Sequence, residues 1–402
     1  MPDHLASALQ QARRQTDLLF SLIPPPAFYH RPIPERHRLI FYLGHLEAFD
    51  WNHIAVWGNN EPRFHPTFDR LFEAGIDPDS SSLPTDMPSD WPRENEVRDY
   101  NARLRSRVDQ LLSHTPEDVV HMAIEHRLEH AETLAYLLHN MPHECKIKPT
   151  LMEHPEPSED AAHTPIAIPG GLAVLGRERG DGFGWDNEFG QHYVRVPPFC
   201  IDRYNVTNRD FLEFHKEGGK APHFWSRRNG EWFYRGMFEW IPLPLDAPVY
   251  VTHEQATEFA TWKHKQLPTE AQYDRAAFAC RKDTEREYPW GNNEVSGHEG
   301  AFDFAYWDPV SVSATPACDS DYGVAQLMGN GWEWTSTPFE PFAEFQPAPN
   351  YPGYSANFFD GRHYVLKGAS CRTAAKLLRR SFRNWFRPDY PYVYATFRLV
   401  ES

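Results

Sequence analysis

Residues 117–140, EDVVHMAIEHRLEHAETLAYLLHN, decide how the first third of this chain is read. Val120, Ile124, Leu128 and Ala131 or Leu134 recur at three- and four-residue spacing, the period of a helix with one apolar face. Thr115, with Asp118 three positions later, predicts an N-terminal capping arrangement for that helix. His126 and His130 stand four residues apart on it, so their imidazoles project from one face and can share a metal ion. Spacing alone carries little weight, because 21 His in a 402-residue chain produce about one such pair by chance. His139 and His143 form a second pair, spoiled as a helical site by Pro142. Glu132 is placed to accept a hydrogen bond that orients one imidazole. The competing reading of the pair is a solvated polar face on a bundle helix.

Working upstream, helical patterns near residues 4–22, 36–56 and 94–113 join this one in a predicted up-and-down four-helix bundle. The second of them, RHRLIFYLGHLEAFDWN (36–52), sets His45 among Leu43, Leu46 and Phe49, where an imidazole without a partner is costly to bury. Meeting His126 and His130, it would complete a three-nitrogen face with positions left open for substrate and O2, which suits iron and zinc alike. A hydrogen-bonded core histidine is the plainer alternative. Arg98, Arg103, Arg105 and Arg107 on the third helix read as a solvated face in preference to an anion site.

Downstream, PHECKIKPTLMEHPEPSEDAAHT (142–164) mixes prolines, charges and small residues without periodicity, the composition of an exposed connection. A helical domain over 1–141 and a second domain over 165–402 are expected on either side. Beyond 165 short apolar runs are broken by Gly, Pro, Asn and Asp, as in IAIPGGLAVLG (166–176) and YVLKGAS (364–370). One helix is clear there: Thr269 and Gln272 form a capping box in LPTEAQYDRAAFA (267–279). The fold class is α+β.

A 41% hydrophobic and 14% aromatic composition is that of a globular chain. Forty basic against 56 acidic residues, a net charge of −16, make nucleic acid and anionic membrane surfaces poor partners. Five scattered cysteines without CxxC spacing suggest neither a disulfide framework nor a zinc knuckle. The N-terminal segment reads as an amphipathic helix, and no 18-residue apolar run occurs, so a cytoplasmic location is expected.

GHLEAFDWN (44–52) and EHRLEHAETL (125–134) are followed by a collinear series of motifs. These are PGGLAVLG (169–176), GWDNE (184–188), VTNRDFLEFHKEGG (206–219), LPTEAQYDRAA (267–277), PWG (289–291), GNGWEWTSTPF (329–339), VLKGAS (365–370), SFRNWF (381–386) and TFRLV (396–400). The whole resembles the ergothioneine-type sulfoxide synthases across nearly its full length. The resemblance implies a DinB-like four-helix bundle holding Fe(II) on His45, His126 and His130. It also implies a C-type-lectin-like domain, related to formylglycine-generating enzymes, that supplies much of the substrate pocket. Hercynine, O2 and a small thiol are the implied substrates. Asn384 and Trp385 are implied to lie near the betaine, where an indole face attracts a trimethylammonium group.

Two departures bear on the donor. The family's motif after WEWT carries two tyrosines three residues apart, one of them a proton donor, whereas the matching positions here are Phe339 and Phe342. The aspartate that follows the Asn-Trp pair and binds gamma-glutamylcysteine is here Phe386. Within the family this leaves a cysteine-using branch, with Tyr100 as the replacement tyrosine, and the selenoneine synthases, which take selenium from a selenosugar. RPIPERHRLIFYLGHLEAFDWN (31–52) is similar to the latter, and the reading leans to selenium. A formylglycine-generating oxidase is disfavoured, since Cys371 after GAS lacks the second cysteine of that family's copper site. A zinc-holding DinB-type binding module is the alternative from another class.

Overall fold

α1 (Asp3–Ser21), α2 (Leu39–Asp50), a short α3 (Pro66–Leu71), α4 (Glu94–Leu111) and α5 (Glu117–Asn140) carry the first of two units, Met1–Thr150 and Leu151–Ser402. The computed structural model describes residues 3–73, 83–150, 164–281, 285–293, 295–297 and 299–401. α1 packs on α5 and α2 on both α4 and α5, so the four long helices form the expected bundle. Every residue of α2 is buried, as is most of α5. A helix covered on all sides is a core helix, and any polar side chain it carries must find its partner inside. α2 runs on into a π-helical turn, Trp51–Trp57, a local widening common beside functional sites.

Two local details depart from the sequence reading. Thr115 does not cap α5, whose N-cap position is Pro116; its hydroxyl donates to the Leu111 carbonyl and accepts from Asn59 instead. α3 was not anticipated, although Pro66 at its first turn and the His65 ring nitrogen accepting from Phe68 N–H are ordinary start signals. The first unit continues beyond 141 through a turn at His143–Cys145, with Ile147 N–H donating to the Leu22 carbonyl at 2.8 Å. Residues 151–163 of the expected connection lie outside the described residues.

The second unit is built from β1 (Pro165–Ile168), β2 (Gly171–Leu175), β3 (His192–Val196), β4 (Phe199–Asp202), α6 (Asn208–Lys216), β5 (Trp225–Arg228), β6 (Glu231–Arg235), β7 (Trp240–Pro242), α7 (His253–Trp262), α8 (Glu270–Phe278), β8 (Gly331–Pro338), β9 (Tyr364–Ala369), β10 (Asn384–Phe386), β11 (Ala395–Thr396) and β12 (Val400–Glu401). Its sheets are small: β1-β4-β12, β2-β3, β5-β6-β7 and β10-β9-β8-β11. α8 starts at the predicted capping box, Gln272 N–H donating to Thr269 Oγ1 at 3.1 Å and Thr269 N–H to Gln272 Oε1 at 2.9 Å. Its apolar side packs with β2, β3 and β9 in one core. Short strands bury little each, and this unit is stapled by buried ion pairs: Arg398 with Glu333 and Arg383 with Glu270, all at most 3% exposed.

Candidate functional site

His45 on α2 faces His126 and His130 on α5, with ring centroids 5.2 and 4.9 Å away; the two α5 rings are 4.4 Å apart. One nitrogen from each lies within 4.8 Å of the others, and all three residues are buried. The Nδ1 of His45 donates to the Phe72 carbonyl at 2.7 Å, which leaves Nε2 as the lone-pair nitrogen. That Nε2, and both ring nitrogens of His130, make no hydrogen bond among the described residues. Buried polar atoms in that state are costly unless something occupies them. Burial, the largest influence, holds the imidazole of His45 down to about 4, and those of His126 and His130 well below the usual histidine range. The rings are therefore neutral near pH 7, which is the ligating form. Three neutral, converging nitrogen donors fit a divalent iron or zinc ion. No other group of this kind occurs among the described residues.

Local sequence explains the geometry. A Cβ on Gly44 would meet the Phe72 ring at 2.5 Å, so the absence of a side chain lets Phe72 close over α2 and bring its carbonyl to His45. Phe49 stacks on His126 at 3.4 Å and 7°, and Phe41 on His45 at 4.8 Å and 21°. His37, Phe41, His45, Phe49 and His53 thus alternate at four-residue intervals along one face, a signal the sequence reading missed. Glu132 does not hydrogen-bond His130, whose ring nitrogens have no such partner among the described residues. Tyr100 lies on α4 with its hydroxyl donating to Asp69 at 2.8 Å, and burial raises its phenol far above the usual range.

In the second unit, the Trp385 indole stacks on Phe339 at 4.3 Å and 8°, and Tyr354 meets it edge-on at 5.4 Å. Tyr354 stacks in turn on Trp185 of the GWDNE motif at 3.9 Å. Phe342 lies beneath the Arg383 guanidinium, 4.2 Å from its ring centre, and the same guanidinium is 5.0 Å from that of Phe339. Asn384 Oδ1 accepts from Trp385 N–H. Phe386 is parted from this group: the pleat of β10 turns it to the opposite face from Trp385, where it stacks on Tyr390. Phe339, Phe342 and Trp385 thus form one cluster and Phe386 belongs to another. Trp185 and Tyr354 were not singled out beforehand, although GWDNE was noted as a motif.

All five cysteines are free thiols. The sulfur of Cys371 lies 3.0 Å from an Arg372 guanidinium nitrogen and 3.8 Å from the Tyr250 hydroxyl. No helix among the described residues is long and apolar enough to cross a membrane.

Fold and site together define a protein in which a helical bundle presents three buried imidazoles and a C-type-lectin-like domain follows. Residues 151–402 match the sulfatase-modifying factor enzyme 1-like domain. The chain is similar to the hercynine oxygenase of Mycolicibacterium smegmatis, 33% identical over 98% of each chain. It is similar at 33% identity to that of Mycolicibacterium thermoresistibile, over 90% of this chain and 86% of the other. Ergothioneine biosynthesis protein 1 of Schizosaccharomyces pombe is 28% identical over 92% of this chain, which spans about half, 52%, of that longer protein. The chain belongs to the hercynine oxygenase family.

Proposed function

We propose that the protein is an O2-dependent sulfoxide synthase that joins the sulfur of cysteine or gamma-glutamylcysteine to the imidazole carbon of hercynine lying between its two nitrogens. The observation that carries this reading is the buried set of three neutral imidazoles in a chain so similar, end to end, to hercynine oxygenases. In the overall balance the imidazole C–H and the thiol S–H are lost, a C–S bond forms, and O2 is reduced, one oxygen ending in the sulfoxide and one in water.

His45, His126 and His130 would hold iron(II), which when bound supplies redox chemistry toward O2 and Lewis acidity toward a thiolate. Phe41 and Phe49, stacked on two of the three rings, exclude water from them and keep their planes fixed. Trp385 and Asn384 would take the betaine. One indole face is covered by Phe339, so the trimethylammonium group would meet the other side of the ring. Holding both substrates in register is the protein's main contribution to rate.

A second reading, selenoneine synthesis from a selenosugar, is favoured by a specific observation. Phe339 and Phe342 offer no acidic hydrogen, and the Tyr100 hydroxyl is engaged by Asp69. A selenolate is softer and more easily oxidised than a thiolate and has less need of a phenolic proton donor. One experiment separates the two. Iron(II)-loaded protein is mixed anaerobically with hercynine, O2 is admitted, and cysteine, gamma-glutamylcysteine and a selenosugar are offered in parallel. A sulfoxide adduct with either thiol supports the first reading; a hercynine adduct with the selenium isotope pattern replaces it with the second. No adduct from any donor, despite bound iron, overturns both.

A further inference from the structure

Beside the three imidazoles lies a charged cluster that the reaction does not use. Arg127 follows His126 directly on α5 and is wholly buried. Its guanidinium donates to Glu47 Oε1 at 3.0 Å, Asp50 Oδ2 at 2.7 Å and the Leu46 carbonyl at 3.1 Å, three groups within five residues of His45 on α2. It also reaches Thr16 Oγ1 on α1 at 3.4 Å. Glu47 accepts in addition from Arg105 on α4, at 2.7 and 2.9 Å, and Arg105 binds Asp17 of α1 at 2.7 Å. Arg13 of α1 pairs with Asp109 at 2.6 Å and approaches Asp50 at 3.6 Å. The cluster touches all four long helices, and Arg127 is the member that joins the two carrying histidines.

The hydrogen bond of His45 runs to the Phe72 carbonyl and not to α5. Among the described residues His45 Nε2 and both nitrogens of His130 make no hydrogen bond, and Phe49 stacks on His126, a contact without directional preference along the helix. A directional link between α2 and α5 is the guanidinium fork, whose planar geometry favours one register. A slip of α5 by one turn, about 5.4 Å, would strip Arg127 of both carboxylates and take His126 and His130 away from His45. Buried charge clusters contribute little net stability relative to apolar packing, and their best-attested use is to specify register.

We propose that Arg127 is the positioning residue of the three-histidine centre, setting through Glu47 and Asp50 the register in which His45 meets His126 and His130. This rests on the reading that the three histidines hold a metal ion. Co(II), a spectroscopic probe for such a centre, is titrated into metal-free full-length protein, and dissociation constant, visible absorption and apoprotein melting are recorded. In the triple variant Arg127→Met/Glu47→Gln/Asp50→Asn the remaining arginines keep acidic partners, Arg105 with Asp17 and Arg13 with Asp109, so the bundle is expected to melt cooperatively. Its Co(II) affinity should fall about tenfold or more, with altered bands, as when groups that orient ligands are lost elsewhere. Arg127→Lys, which keeps the charge but not the fork, should fall in between and serves as the deciding variant if the triple one does not fold. A folded variant with wild-type affinity and spectrum overturns the inference. Wild-type protein that binds no Co(II), or binds it unchanged after His130→Leu, overturns the metal reading, and this inference with it.

Discussion

Both units bury charge, but they set it to different tasks. In the first, carboxylates and guanidinium groups lie among long helices, within a few residues of the three imidazoles. In the second, ion pairs sit beneath turns and short strands and brace an aromatic cluster. The contrast extends to the carboxylates. Burial pushes Glu47 up, but Arg127, Arg105 and Arg13 outweigh it and hold its carboxyl down to about 2. Burial pushes Asp274 up to about 7, and Lys367, 3.2 Å away, only partly offsets it. In the helical unit the arginines keep Glu47 charged beside neutral imidazoles, whereas burial, with Glu47 close by, pushes Asp50 up against the pull of Arg127 and Arg13. In the second unit Asp274 is likewise dominated by burial and prefers its proton.

The comparison can be broken most severely at the imidazoles. Replacing His130 with leucine should weaken metal binding more than about 100-fold, since two nitrogen donors seldom retain such an ion. Apoprotein melting should hold or rise, because a buried ring without hydrogen bonds gives way to an apolar side chain. Metal titration and calorimetry on the same sample read both, and a large fall in melting temperature would mean that His130 is structural.

In the second unit, Arg383→Met strands Glu270, 3% exposed, without its fork and should cost about 3–5 kcal/mol of unfolding free energy. Metal affinity should not change, so urea unfolding beside a metal titration tests whether the two kinds of buried charge act separately. A smaller effect concerns Asp274. Its folded carboxyl holds a proton up to about pH 7, whereas the unfolded group releases it near 3.8, the ordinary value for an aspartate. The native state therefore binds more protons between these values, and stability falls as pH rises through that window. Wild type should lose about 2 kcal/mol relative to Asp274→Asn between pH 5 and 7. Parallel denaturation curves for the two proteins at both pH values would contradict it.

The smallest effect sharpens the functional contrast. Trp385→Ala should raise the hercynine KM about tenfold, the scale of one cation–π contact. Iron content should stay as in wild type. A KM that does not move would remove Trp385 from the betaine site.

Much of the bundle and its group of three histidines was legible because helical period and four-residue spacing are local properties. His45 needed only its apolar surroundings to mark it as inward-facing. The capping box at Thr269 was equally readable, and those at Thr207 and Thr252, which open α6 and α7, follow the same rule and were passed over. Other assignments failed where a residue had rival partners. Thr115 had a cap to offer α5, yet packing brought Asn59 and the Leu111 carbonyl to its hydroxyl. Arg105 sits among arginines that read as a solvated face, but it reaches inward to Glu47, 58 residues earlier. Phe386 and Trp385 are adjacent in sequence and parted by the pleat of a three-residue strand.

Periodicity, turn chemistry and motif order were thus enough to determine a helical domain with three candidate ligands on two helices and a turn-rich domain after it. Only the tertiary structure decided that the three rings converge, that Nδ1 of His45 is taken by the Phe72 carbonyl, and that Arg127 clamps α5 to α2 through residues 77 and 80 positions away. The reason is physical. A helix specifies which side chains share its face, but the register between two helices is set by contacts between residues far apart in the chain, and no local pattern encodes that distance.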